Sequence, residues 1–252
     1  MAIVVALVIF YSSCKKDESE STDNATVRVH LTDAPGLYKE VNIDILRVEI
    51  HSDQTGWIAI DSANAGIYNL LDFTNGADTL LGDAELPAGS ISQMRLILGD
   101  NNSLLDTNGM KYDLKTPSGQ QSGIKFNIQQ TIENGITYDV WIDFNADKSV
   151  VKRGNGYYNL KPVIRAYTKA TSGGIKGIAM PDSADSYVFV VQGGDTFSTY
   201  ADTAGYYLLG GLPASSYDVH FNNSNSYRDS VIVGVSVNVG SVTDMDTTTM
   251  SR

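Results

Sequence analysis

Val41-Asn42-Ile43-Asp44-Ile45-Leu46-Arg47-Val48-Glu49-Ile50 alternates apolar and polar side chains with a period of two, the pattern of a strand with one buried face. Val41, Ile43 and Ile45 share one face, and Leu46, Val48 and Ile50 then take over that pattern. The phase slips by one residue between Ile45 and Leu46, which is what a β-bulge does. The same period extends outward on both sides. Val27, Val29 and Leu31 alternate with Arg28 and His30, and further strands read at 57–60, 90–98, 110–115, 124–132, 136–144 and 158–167. Asp33-Ala34-Pro35-Gly36, Thr107-Asn108-Gly109, Glu133-Asn134-Gly135 and Gly154-Asn155-Gly156 punctuate them as turns. Asn134-Gly135 between two alternating runs predicts a hairpin. Helical turns are expected only around 67–73 and 146–152. The chain therefore reads as all-β.

Thr171-Ser172-Gly173-Gly174 marks a boundary. Beyond it, residues 171–252 carry three basic and eight acidic side chains, and strands read near 175–180, 187–192, 196–201, 206–209, 216–221, 229–238 and 241–249. Seven short strands in that length fit a small Greek-key sandwich. The expected organisation is a larger β-sandwich or barrel-like domain over 26–170, followed by the seven-stranded sandwich over 171–252. Leu86-Pro87-Ala88-Gly89 and Leu212-Pro213-Ala214-Ser215 each lead into a strand, a shared corner chemistry in which Pro fixes φ.

Residues 2–11, Ala-Ile-Val-Val-Ala-Leu-Val-Ile-Phe-Tyr, are uncharged and apolar. Ten helical residues span about 15 Å, half of a bilayer core, so the run suits a signal-peptide core rather than a spanning anchor. Ser12 and Ser13 precede Cys14, the one cysteine of the chain. The arrangement resembles a bacterial lipoprotein signal, which implies cleavage after residue 13 and acylation of Cys14. Residues 14–25 are polar and read as a flexible tether. Within them, Lys16-Asp17-Glu18 resembles the export signal of surface lipoproteins, implying an outer-membrane, lipid-anchored protein that faces the exterior.

Two family resemblances cover the rest. Asp202, Gly205, Tyr207, Leu212-Pro213 and Tyr217 resemble the carboxypeptidase regulatory-like, prealbumin-type domain over about 172–250, which implies a non-catalytic sandwich of carbohydrate-binding-like fold. Leu31-Thr32-Asp33-Ala34-Pro35-Gly36, Leu86-Pro87-Ala88-Gly89, Ile142-Asp143-Phe144 and Leu160-Lys161-Pro162-Val163-Ile164-Arg165 resemble a lipoprotein family of unknown function (domain-of-unknown-function family 4382) over about 26–168. That resemblance implies architecture and address, not a reaction.

The 252 residues carry a net charge of −11, a field that repels phosphate backbones and argues against nucleic acid as a partner. One Cys and three His rule out a cysteine zinc site and leave little for a histidine cluster, and no cofactor is expected. His30, His51 and His220 sit in alternating strands and read as partly exposed strand residues, with no nucleophile elbow beside them. Gly173-Gly174, Gly193-Gly194 and Gly210-Gly211 lack the Lys and helix of a phosphate cradle and read as turns. Asp143, Asn145 and Asp147 have the oxygen spacing of the first half of a calcium loop, but Lys148 stands where its glycine would be. Aromatic side chains are the better handle, because sugar rings stack their C–H faces on flat groups. Trp57, Trp141, Tyr206 and Tyr227 are the candidate ligand contacts. The expected function is a non-enzymatic binding or adhesion module held to the membrane through Cys14, with glycan the first ligand and surface proteins as further partners. A structural subunit or spacer of a surface assembly is the alternative, and a hydrolase built on a carboxylate pair a further one.

Overall fold

The computed structural model describes residues 24–34, 36–60, 64–116, 122–154, 156–169 and 171–252; the apolar leader and Cys14 lie outside the described residues. Among the described residues the chain forms twenty strands. The first thirteen are β1 (Ala25–Ala34), β2 (Glu40–Ser52), β3 (Gly56–Ala59), β4 (Gly66–Asn69), β5 (Thr79–Leu86), β6 (Gly89–Leu98), β7 (Ser103–Leu105), β8 (Lys111–Lys115), β9 (Ile124–Ile132), β10 (Thr137–Asn145), β11 (Val150–Lys152), β12 (Tyr158–Leu160) and β13 (Ile164–Thr168). The rest are β14 (Gly173–Met180), β15 (Tyr187–Gln192), β16 (Asp195–Tyr200), β17 (Tyr206–Leu212), β18 (Ser215–Asn222), β19 (Ser230–Val237) and β20 (Val242–Thr249). No helix among them is long and apolar enough to cross a membrane.

The first thirteen strands build two sheets. One runs β13-β10-β1-β5; the other runs β11-β12-β8-β7-β2-β6-β9, with β3 and β4 also paired to β2. Their facing sides hold the core. Val27, Val29 and Leu31 of β1, Ile43, Val48 and Ile50 of β2, and Val140, Ile142 and Phe144 of β10 are all fully buried there. β10 is a central strand, parallel to β1 and antiparallel to β13. The bulge in β2 forms where the phase slip places it, with the register to β6 shifting between Ile45 and Arg47. Leu46 does not join the core as the pattern suggested: the bulge turns it out, 52% exposed, and Val48 takes the inward place.

The last seven strands form the small sandwich, as sheets β17-β14-β20 and β16-β15-β18-β19 around a separate core. Tyr207 is fully buried at its centre, edge-on to Phe221 with ring centroids 5.7 Å apart. Gly177 is required opposite it, since a Cβ there would meet the Tyr207 hydroxyl oxygen at 2.6 Å. The Tyr217 hydroxyl lies 2.8 Å from the Pro213 carbonyl oxygen, which ties the start of β18 back onto its corner.

Four local expectations need correction. Asn134-Gly135 makes a turn, with Gly135 at φ +73°, but not a hairpin. β9 pairs with β6 and β10 with β1 and β13, so the turn carries the chain from one sheet to the other. Residues 66–69 are strand β4, paired with Asn42–Ile45, and only Leu70–Phe73 make a helical turn. The helix expected over 146–152 stops after α1 (Ala146–Ser149), because β-branched Val150 and Val151 pair with β12. Finally, the strand expected across 158–167 is broken at Lys161-Pro162-Val163, where proline offers no N–H to a ladder.

Candidate functional site

The outer face of the β13-β10-β1-β5 sheet carries a row of rings. Register sets His30 of β1 beside Trp141 of β10, and Trp141 beside Tyr167 of β13. The rings stack across the three strands, with centroids 5.0 Å apart for His30 and Trp141 and 5.9 Å for Trp141 and Tyr167, each pair within 16° of parallel. Polar groups fix the row. The His30 ring nitrogens lie 3.0 Å from Asp78 and 3.0 Å from Asp139. Trp141 Nε1 donates to Asp78 at 3.0 Å, and the Lys169 ammonium sits 4.3 Å from the centre of the indole. Burial pushes the Asp139 carboxyl up, but hydrogen bonds from Arg28 and His30 outweigh it and hold the group below the usual carboxylate range.

The small sandwich covers this face. Arg165 Nε donates to Asp143 at 2.5 Å, its Nη2 donates to the Gly210 carbonyl at 3.0 Å, and its guanidinium lies 4.4 Å from the Phe197 ring centre. Thr199 donates to the Asn75 side chain at 3.1 Å. The Tyr167 ring rests on Gly210 and Gly211. Gly211 is at φ +67°, and a Cβ on it would meet Tyr167 Cδ1 at 2.5 Å, so only glycine admits the ring. Burial and the Asp143 charge push the Tyr167 hydroxyl far above the ordinary phenol range.

Two of the spaces in the seam adjoin each other. One is a pocket of about 210 Å³ lined by Trp141, Tyr167, Asp78, Lys169, Thr32 and the glycines at 173, 174, 210 and 211. The other is a cleft of about 670 Å³ lined by Gln129, Gln130, Lys148, Arg165, Phe197 and Ser198, sharing Tyr167, Ser172 and Gly211 with the first. Arg165 Nη1 is buried without a hydrogen-bond partner among the described residues. Rings, hydroxyls, side-chain amides and a donor with no acceptor are groups that a polar, hydroxyl-rich ligand satisfies.

Of the aromatic candidates, Trp141 is therefore in the seam, 7% exposed. Trp57 lies elsewhere, on the outer face of the other sheet, with the Arg95 guanidinium 4.4 Å from its ring centre. Tyr206 is half-buried on β17, opposite Ile178 of β14. Tyr227 packs under Arg252, whose guanidinium carbon lies 4.9 Å from its ring centre, and its hydroxyl meets Ser183 at 3.1 Å. The calcium spacing is not realised. Asp143 is taken by Arg165, Asn145 caps α1 by accepting from the Lys148 N–H, and Asp147 faces Leu37 and Lys148, where burial raises its carboxyl. No group of three metal-ligating side chains forms among the described residues.

The pattern reading missed Arg165, Tyr167, Lys169, Asp78 and Phe197, and took Gly210-Gly211 for a turn. Gly210-Gly211 lie inside β17, and Gly173-Gly174, also read as a turn, open β14. Two glycines within an alternating strand are the one available signal, because they mark a close approach of another group.

The profile of the family described as Domain of unknown function (DUF4382) matches residues 24–162. A comparison with curated proteins returned no match. Among solved structures, the chain is similar to the minor pilin GBS52 of Streptococcus agalactiae, at 8% identity over 89% of this chain and 95% of that one, with a TM-score of 0.27. It is similar to the major pilin subunit BcpA of Bacillus cereus, at 11% identity over 90% and 69%, with a TM-score of 0.24. It is also similar to a type II cohesin–X-dockerin complex from Acetivibrio cellulolyticus, at 23% identity over 31% of this chain, with a TM-score of 0.26. The match spans 56% of that last chain. At such TM-scores these likenesses carry no argument about function.

Proposed function

Because the chain belongs, through residues 24–162, to the family described as Domain of unknown function (DUF4382), whose description names no activity, we propose a function from the seam itself: a lipid-anchored envelope protein that binds a glycan without transforming it. One observation carries this reading. The seam brings Trp141 and Tyr167 together with Asp78, Lys169 and Thr32 around a pocket of about 210 Å³, a size and lining suited to one sugar ring. The adjoining cleft would take the following units. The seam carboxylates Asp78, Asp139 and Asp143 are each engaged by His30, Trp141, Arg28 or Arg165. That favours binding over a hydrolytic acid–base pair.

In the same reading the small sandwich is a carboxypeptidase regulatory-like domain serving as the second wall of the site, and Cys14 carries the acyl anchor on the outer face of an outer membrane. Metabolic labelling with a palmitate analogue tests the anchor: the native chain takes up label and Cys14→Ser does not. Equal labelling of both overturns it. Glycan arrays probed with the full chain test the ligand, with binding expected at or below about 1 mM and lost in Trp141→Ala. Absence of binding to every neutral glycan overturns it.

A second reading, a subunit of a surface assembly, draws on β19. It is the outer strand of its sheet and exposes Val231 and Val233, the latter by 70%. An exposed apolar edge is a template for pairing with another chain. Cross-linking on intact cells decides it: a defined complex supports the assembly, and a purely monomeric chain counts against it.

A further inference from the structure

The outer face of the other sheet holds a feature that the seam does not use. Trp57 of β3 lies opposite His51 of β2, and Glu49 of β2 lies opposite Arg95 of β6, which in turn lies opposite Lys125 of β9. Arg47 stands two residues before Glu49 on the same strand. The Glu49 carboxylate, 6% exposed, accepts from Arg47 Nε at 2.6 Å and from Arg95 Nε. Both guanidiniums are thus anchored on one carboxylate through Nε. Lys125 is exposed and makes no ion pair there. Its ammonium and the Arg95 guanidinium lie 5.6 Å and 4.4 Å from the centre of the Trp57 ring.

The charge balance is out of character with the molecule. Among the described residues three cations surround one carboxylate, on a chain of net charge −11. Arg95 and Lys125 are a like-charged pair directly across a strand boundary, an arrangement that destabilises a sheet. An anion placed between them removes the repulsion and can accept from guanidinium and ammonium N–H groups. Neighbouring strands are about 4.8 Å apart, so successive anionic groups on successive sugar units of an extended chain can meet successive strands. The Trp57 ring offers a flat surface at the same spot.

We propose that Arg47, Trp57, Arg95 and Lys125 form a binding face for an acidic polysaccharide, its carboxylate or sulfate groups held by the two guanidiniums and the ammonium. This site is on a different sheet from the seam and stands independently of the glycan reading given above.

The full chain is tested against polygalacturonate, dextran sulfate and uncharged dextran by biolayer interferometry at two salt concentrations. Expected is binding to at least one of the two polyanions, weakened by salt, and none to dextran. Arg47→Gln and Lys125→Gln change exposed side chains and each lower the affinity about tenfold, whereas Lys111→Gln leaves it unchanged. Lys125→Gln also keeps or raises the melting temperature, because it relieves the like-charged pair; a side chain with a merely structural role would lower it. Failure of both polyanions to bind, or equal binding by the Arg47 and Lys125 variants, overturns the proposal. So does stronger retention on phosphatidylglycerol vesicles than on either polysaccharide, which would make the face a membrane contact.

Discussion

Asp202 and Asp106 turn the chain with the same bonds. The Asp202 carboxylate accepts from the N–H groups of Ala204 and Tyr206, and that of Asp106 accepts from Asn108 and Met110. Each turn ends on a glycine at positive φ, Gly205 at +78° and Gly109 at +83°. Thr107-Asn108-Gly109 was legible as a turn, because its chemistry is local, while Asp202 and Gly205 entered the reading only through the family resemblance. Asp202→Ala should cost about 1 kcal/mol by urea unfolding, since two surface N–H groups lose a charged acceptor to water. Gly211 was not legible, since its reason for being glycine is Tyr167, 44 residues earlier in the chain. Gly211→Ala should destabilise by more than the turn variant, through strain and clash together, and should alter Trp141 fluorescence as the Tyr167 ring shifts.

Among the elements, β10 shows what alternation can and cannot say. Val140, Ile142 and Phe144 on one face and Trp141 and Asp143 on the other follow directly from the period of two. The pattern does not show that the second face is also covered, nor that β10 runs parallel to β1 more than a hundred residues away, because pairing partners leave no local trace. Ile142→Ala, at a fully buried site, should cost about 2–5 kcal/mol. Asp139, two residues before Trp141 on the same strand, gives the element a pH dependence. Its carboxyl is held below the ordinary value of 3.8 in the folded chain, so the stability it contributes is present above that value and is lost as the pH falls through the lowered one. A stability curve from pH 6 to pH 2 should fall less steeply at its acid end for Asp139→Asn than for the native chain.

For the whole molecule, the all-β class and the seven strands of the small sandwich were legible, since turn spelling and strand period repeat along the chain. The seam was not. It is made by Arg165 reaching Phe197 and the Gly210 carbonyl, and by Tyr167 lying on Gly211, contacts between segments that local periodicity treats separately. The same separation explains why Trp141 could be named from its strand face while its companions could not. The account also predicts late tyrosine ionisation. Burial pushes Tyr207 up to about 12, and burial with Asp147 pushes Tyr200 up to about 12. Both should resist spectrophotometric titration at pH 10–11, and the stability they contribute should decline as the pH rises above 10, where the unfolded chain ionises first. The most direct test of the seam as a glycan site is a nuclear magnetic resonance titration of the Trp141 indole N–H in the full chain with neutral glycans selected by array. The account predicts that the Trp141 signal moves on saturation while the Trp57 signal stays in place; a selected glycan that leaves the Trp141 signal unmoved would contradict it.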